Sequence, residues 1–463
     1  MIYQIVLCVC VCLSILITTC ELKGFRCVQD EVDVQPLVLT ELINKGEIAE
    51  AQSKAFVQIE DFRDIISYAG FLQVSKEYDS NLFFWYFPSQ LNVNLDPVIL
   101  WLQGGPGLTS LVGLFLENGP FQLENKFDIR LRMYSWTKRF SVVYVDNPVG
   151  TGYSYTRKGG YRTNQTIIAQ DLHAALKQFF KLFPNIAKND FYIMGEAYGG
   201  KYAISLAALI DHTNAKRKKK VHLRGIAIGS AFCDPVNQIA YGDYLYEVGL
   251  IDHNARERFY FLENCIKEHI KNNKWVEAYQ TFDYLIGGDA VPETLYKNLT
   301  GLENMFNYVT DNIPRDQFDI ISYYINLEEL RKALHVGFIR FNTTNPVVEQ
   351  FLREDFMKSI INSLPPLLRS YKVLFFNGQL DVLSGYDMTE DMLYNMEHEK
   401  AAQFQNVTRC IWRVGNQVAG YAKNFENLTQ VMVRNAGHLI PTDQPKWTFN
   451  MIVRFIENIN FCS

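Results

Sequence analysis

The chain reads Phe191-Tyr-Ile-Met-Gly195-Glu196-Ala197-Tyr198-Gly199-Gly200-Lys201-Tyr202 near its middle. An apolar, strand-like run enters it, a helix-prone run (Tyr202 to Ile210) leaves it, and glycines stand two residues either side of the centre. That is the layout of a nucleophile elbow, G-x-S-x-G, with alanine in the place of the serine. The turn between strand and helix is sharp, so a Cβ on either flank would clash. Gly195 and Gly199 alone would also fit any strand-to-helix turn, so the rest of the chain must decide.

Working outward, strand-like and helix-like segments alternate. Pro97 to Leu102, Ser141 to Val145, Leu223 to Ile228, Val373 to Phe376 and Gln430 to Val433 are short apolar runs that predict buried strands. Ile167 to Phe183 carries apolar residues at helical spacing and stops at Pro184, and a last helix is expected from Gln444 to Ile459. Between Asp234 and about Leu364 the chain is mostly helical in pattern, aromatic and charged. Alternating β and α implies an α/β fold with a mostly parallel sheet covered on both faces, and the helical middle reads as an insertion over one edge. The domain reading is a leader at 1–20, an N-terminal segment at 21–57, core at 58–233, insertion at 234–364 and core again at 365–463.

At 463 residues and 48% hydrophobic content the chain can bury a sizeable core, and its net charge of -5 argues against a nucleic-acid partner. Met1 to Cys20 is apolar around Ile5 to Leu16, the pattern of a secretory signal peptide, although without a basic start an uncleaved anchor stays open. No later run is long enough to span a bilayer. Five sequons, at Asn164, Asn298, Asn342, Asn406 and Asn427, fit glycosylation in the secretory pathway, with secretion and lysosomal delivery equally open. Of nine cysteines, Cys8, Cys10, Cys12 and Cys20 lie in the leader; Cys27, Cys233, Cys265, Cys410 and Cys462 leave at least one thiol unpaired or paired to a second chain, so a homodimer stays open. The run Lys216-Arg-Lys-Lys-Lys220 reads as a solvated or processing loop. No metal-ligand spacing, H-E-x-x-H or P-loop lysine occurs, so neither metal nor cofactor is expected.

An elbow nucleophile needs an acid and then a histidine, in that chain order. Asp381 ends Asn377-Gly-Gln-Leu-Asp381 just after a strand, where α/β sites are built, although it would also serve as a helix N-cap. Of eight histidines, His438 alone sits in a loop before the final helix; His173, His212, His269 and His335 fall in helical patterns.

The chain resembles the serine carboxypeptidases, in particular their vitellogenic carboxypeptidase-like branch. The residues that carry the resemblance are Asn81-Leu-Phe-Phe-Trp-Tyr-Phe-Pro88, Trp101-Leu-Gln-Gly-Gly-Pro-Gly107, Asp146-Asn-Pro-Val-Gly-Thr-Gly-Tyr-Ser-Tyr155, the elbow, Asn377 to Asp381, and Gly437-His438-Leu-Ile-Pro-Thr-Asp-Gln-Pro445. The resemblance implies an α/β-hydrolase fold with a helical insertion above the site. It places the nucleophile at Ala197, the general base at His438, the orienting acid at Asp381 and the oxyanion hole on the N–H groups of Gly105 and Tyr198. Glu117 and Glu196 would share a proton and, with Gln103 and Gly104, hold the free carboxylate of a peptide C-terminus; a plain surface charge is the other reading of either glutamate. Two departures stand out. Gln103 replaces the family's usual asparagine, and Leu108, followed by Thr109, replaces its cysteine, so the insertion has fewer staples. Alanine has no oxygen to attack with. Three readings follow: a pseudoenzyme that binds peptide C-termini, an active carboxypeptidase whose Ala197 is an engineered or variant residue, or a secreted structural or interaction protein.

Overall fold

Val98-Ile-Leu-Trp-Leu102 and Ser141-Val-Val-Tyr-Val145 are buried at every position, as strands covered on both faces must be. They belong to a sheet of ten strands: β1 (Tyr68–Ser75), β2 (Ser80–Phe87), β3 (Val98–Leu102), β4 (Ser141–Val145), β5 (Phe191–Glu196), β6 (Leu223–Gly229), β7 (Lys372–Gly378), β8 (Cys410–Val414), β9 (Gln417–Phe425) and β10 (Leu428–Val433). Their spatial order is β1-β2-β4-β3-β5-β6-β7-β10-β9-β8. The six from β4 to β10 in that order run parallel. An antiparallel pair extends the sheet at each end. This computed structural model describes residues 35–59, 64–123, 129–157, 159–216, 220–291, 293–311, 314–398 and 400–462. The leader, Cys8, Cys10, Cys12, Cys20, Cys27 and residues 217–219 of the basic run lie outside them.

Alternation along each strand sends its side chains to two cores. On one face Leu100, Leu102 and Ile193 meet Ile168, Leu172 and Phe179 of α1 (Gln165–Leu182) and Ile204 of α2 (Gly199–Lys216). Between β6 and β7 the structure is helical, ending in α3 (Pro346–Phe356) and two short turns. On the other face Trp101, Tyr144 and Met194 meet Met451, Ile452 and Phe455 of α4 (Pro445–Glu457). Helix α1 ends at Leu182, just before Pro184, and its start is capped by Asn164, whose side chain accepts from Ile167 N. Cys410 and Cys462 form a disulfide joining edge strand β8 to the C-terminal end, while Cys233 and Cys265 are free thiols. Among the described residues no helix is long and apolar enough to cross a membrane.

Candidate active site

The sharp turn at the end of β5 puts Ala197 at φ +51°, left-handed backbone that costs an L-residue about 1 kcal/mol or more. Three backbone bonds fix it there. Ala197 N donates to Gly229 O (3.0 Å), and Ala197 O accepts from Gly200 N (3.1 Å) and Phe232 N (3.2 Å). Gly199 is glycine because the β3 exit runs against it: a Cβ there would lie 2.2 Å from Leu102 O. Gly104 is glycine for the reciprocal reason, with a Cβ 1.9 Å from Gly199 N and 2.5 Å from the Tyr198 carbonyl carbon. The Gly104 backbone and the elbow are thus nested at the Tyr198–Gly199 peptide, and Gly105 follows at an exposed position. The methyl of Ala197 remains partly exposed.

Asp381 and His438 follow β7 and β10, so both stand at the same carboxyl edge of the sheet as the elbow. His438 Nδ1 and Asp381 Oδ2 are 2.9 Å apart, and both residues are buried. With Nδ1–H given to Asp381, Nε2 is left as the acceptor that a general base needs. The second Asp381 oxygen accepts from Ser384 N (3.0 Å), and the next helix starts only at Tyr386, so Asp381 is not a helix N-cap. His335 is a correction: it lies past the helix Glu328–Ala333 with φ +58°, where the chain has left helical geometry and its Nε2 lies 3.1 Å from Phe56 O.

The glutamates are not surface charges either. Glu196 and Glu117 are 0% and 1% exposed, the first closing β5 and the second inside a π-helical turn, Gly113–Asn118. Such turns place side chains at unusual angles and recur at functional sites. Gln103 links the pair to the sheet, accepting from Trp101 Nε1 (2.8 Å) and donating Nε2 to Glu196 Oε1 (2.6 Å). Burial pushes Glu117 up to about 7, against the favourable pull of Glu196, His438 and Arg132. Burial and the adjoining Glu117 push Glu196 well above the usual carboxylate range. Glu117 Oε1 and Oε2 and Glu196 Oε2 find no donor among the described residues, so a proton held between the two carboxyls is their natural partner.

Three further residues support the site without any local signal for it. Asp146 accepts from Thr109 Oγ1, from Ser110 N (3.1 Å) and from Tyr153 N (2.9 Å), so it anchors the Gly-Gly-Pro-Gly loop; burial raises it to about 7. Lys201, buried one helical turn past the elbow, donates to the carbonyls of Asp355 (3.1 Å), Phe356 (2.6 Å) and Lys358 (2.7 Å) at the end of α3. Phe306 packs on His438. At the position where the resemblance implies a cysteine, backbone contacts tie the loop to the insertion: Leu108 bridges Thr344, and Thr109 N donates to Thr343 O (3.0 Å). Among the sequons, Asn298, Asn342 and Asn406 are exposed, whereas Asn164 and Asn427 are partly buried. Among the described residues no group of three His, Cys, Asp or Glu could hold a metal.

A strand–turn–helix elbow, an acid after one strand and a histidine after a later one, on a largely parallel sheet, define an α/β hydrolase. The serine carboxypeptidase family, peptidase S10, matches residues 59–458, and the chain belongs to it. It is 46% identical over 428 residues to venom serine carboxypeptidase of Apis mellifera, covering 92% of each chain. It is 41% identical to the probable serine carboxypeptidase CPVL of Homo sapiens, covering 91% of this chain and 90% of that one. Vitellogenic carboxypeptidase of Aedes aegypti is 39% identical, with 91% and 90% covered. A solved structure of the prohormone-processing carboxypeptidase Kex1Δp from Saccharomyces cerevisiae shares the fold, with a TM-score of 0.76 at 22% identity over 88% of this chain and 96% of that one.

Proposed function

We propose that this chain binds peptides through their free C-terminal carboxylate and does not hydrolyse them. The observation that carries the binding half is the buried Gln103–Glu196–Glu117 cluster beside the elbow, where three carboxyl oxygens find no donor among the described residues other than a proton the pair would share. A carboxyl kept neutral by burial can donate a hydrogen bond to a ligand carboxylate; two ionised ones would repel it. The Gly104 N–H would add a further donor. The silent half rests on Ala197, which offers no nucleophile to the imidazole of His438. Asp381, His438, Gly105 and Tyr198 would otherwise serve as acid, base and oxyanion hole for acyl transfer. The leader-like start and the sequons support passage through the secretory pathway, to the outside or to a lysosome.

Calorimetric titration with an N-blocked dipeptide and with its C-terminal amide, at pH 5 and pH 8, tests the binding half. The acid should bind at pH 5, weaken at least tenfold at pH 8, and outcompete the amide. Equal affinity for acid and amide would sink the proposal.

A further inference from the structure

Acid and base stand on separate loops, yet a short strap from the insertion, Asn304–Tyr308, holds both. Val382 N donates to Met305 O (3.1 Å) and Tyr308 N to Leu380 O (3.3 Å), which brackets Asp381. His438 N donates to Phe306 O (2.7 Å). The Asp443 carboxylate then joins strap to histidine loop, accepting from Asn307 Nδ2 (2.9 Å) and Gly437 N (2.7 Å). The strap is itself pinned, because buried Asn304 accepts from Phe306 N (2.9 Å) and Asn307 N (3.3 Å). Contact is so close that a Cβ at Gly437 would lie 2.2 Å from Phe306 O.

One side chain of the strap reaches the imidazole. The Phe306 ring stands against that of His438 with centroids 5.0 Å apart and planes at 86°, an edge-to-face arrangement. The hydrogen bond from Nδ1 to Asp381 and the covalent link through Cβ hold two points of the imidazole and leave it only a small swing out of its plane. An aromatic edge at right angles removes the swing. We propose that Phe306 is a positioning residue for His438, holding the ring in the plane from which Nε2 faces the elbow, while the strap's backbone fixes the spacing of the Asp381 and His438 loops. This rests on reading Asp381 and His438 as acid and base.

Proton NMR of the native chain tests it without any turnover, because an Nδ1–H held by a carboxylate resonates far downfield. The His438 Nδ1–H line should be sharp in the native chain, broadened or absent in F306A, and restored in F306Y. G437A, which forces the strap off the histidine loop while leaving Phe306 present, should also broaden it. If F306A does not fold, F306L, which keeps bulk but not the ring, makes the same comparison. In an A197S background, F306A should lower kcat by about 10², the scale of a misplaced catalytic group, with KM within about twofold. An unchanged line and unchanged kcat in a folded F306A would overturn the proposal, as would a rise in KM alone, which would make Phe306 a wall of the binding site. Should A197S itself hydrolyse nothing, the carboxypeptidase reading fails, and the NMR comparison still decides Phe306.

Discussion

Ala197→Ser should convert this chain into a working carboxypeptidase. Removing the serine of a catalytic triad costs about 10⁶ in kcat, roughly 8 kcal/mol of barrier, so that much is available to regain. The structure leaves little to subtract from it. Serine has the same Cβ as alanine, so at φ +51° it meets the same strain, and the backbone bonds from Ala197 to Gly229, Gly200 and Phe232 already set the direction of that Cβ. The added hydroxyl enters a partly exposed position. His438 is held by Asp381 at 2.9 Å with the correct nitrogen free. The one visible shortfall is Gln103, a methylene longer than the asparagine that the resemblance implies, which on the proposed reading falls on substrate binding and so on KM. Hydrolysis of N-blocked dipeptides between pH 4 and 7 should therefore rise by about 10⁴ to 10⁶ over the native chain. A phosphonyl or sulfonyl fluoride should label the A197S variant stoichiometrically, with no label on the native protein. A folded A197S that neither cleaves nor takes label would refute the idea that only the nucleophile is missing. A native chain that cleaves at the rate of the variant would refute its silence.

Two further outcomes follow from buried charge. Burial holds Glu117, Asp146 and Glu263 up to about 7, so the folded protein keeps protons that the unfolded chain has released; this stabilisation is whole below about pH 4 and is lost as pH climbs through about 7. The melting temperature should rise from pH 8 to pH 5, less steeply in E117Q, and a fall on acidification would contradict it. Lys201→Met removes a buried donor from three carbonyls and should cost about 3 kcal/mol in urea unfolding, whereas a loss under about 0.5 kcal/mol would mean the end of α3 needs no such cap.

The parts of the fold legible in sequence are those where local pattern and burial coincide. Strands β3 to β7 and β10 are nearly unbroken apolar runs because both faces are covered. The antiparallel edges escape that reading. Gln417–Phe425 mixes lysine, asparagine and glycine with its apolar residues, and Cys410–Val414 alternates buried and exposed positions over too few residues to register. In the site, Asp381 and His438 are legible from chain order after an elbow. Glu117 has no such local signal and enters only through the family resemblance, since its burial depends on partners outside its own segment: Gln103, and Glu196 seventy-nine residues along. The same holds for Phe306 and Lys201, whose partners lie in other elements.

That contrast separates residues demanded by packing from residues demanded by chemistry. Gly104, Gly199 and Gly437 are dictated by backbone approaching backbone, so their presence reports the fold and says nothing of activity. Glu117 and Glu196 report the opposite. Two carboxyls fully removed from water, with a shared proton as the partner for oxygens that find no donor elsewhere among the described residues, weaken the folded state, and apolar residues of similar size would fill the space at lower cost. Ala197 falls between. A residue at φ +51° carries strain that glycine would relieve, and without a hydroxyl that strain supports no reaction. On the proposed reading, a carboxyl pair that is costly to bury and an elbow that is strained but empty leave recognition as the chemistry of this site, which is why the affinity for a free C-terminus is the quantity to weigh against turnover.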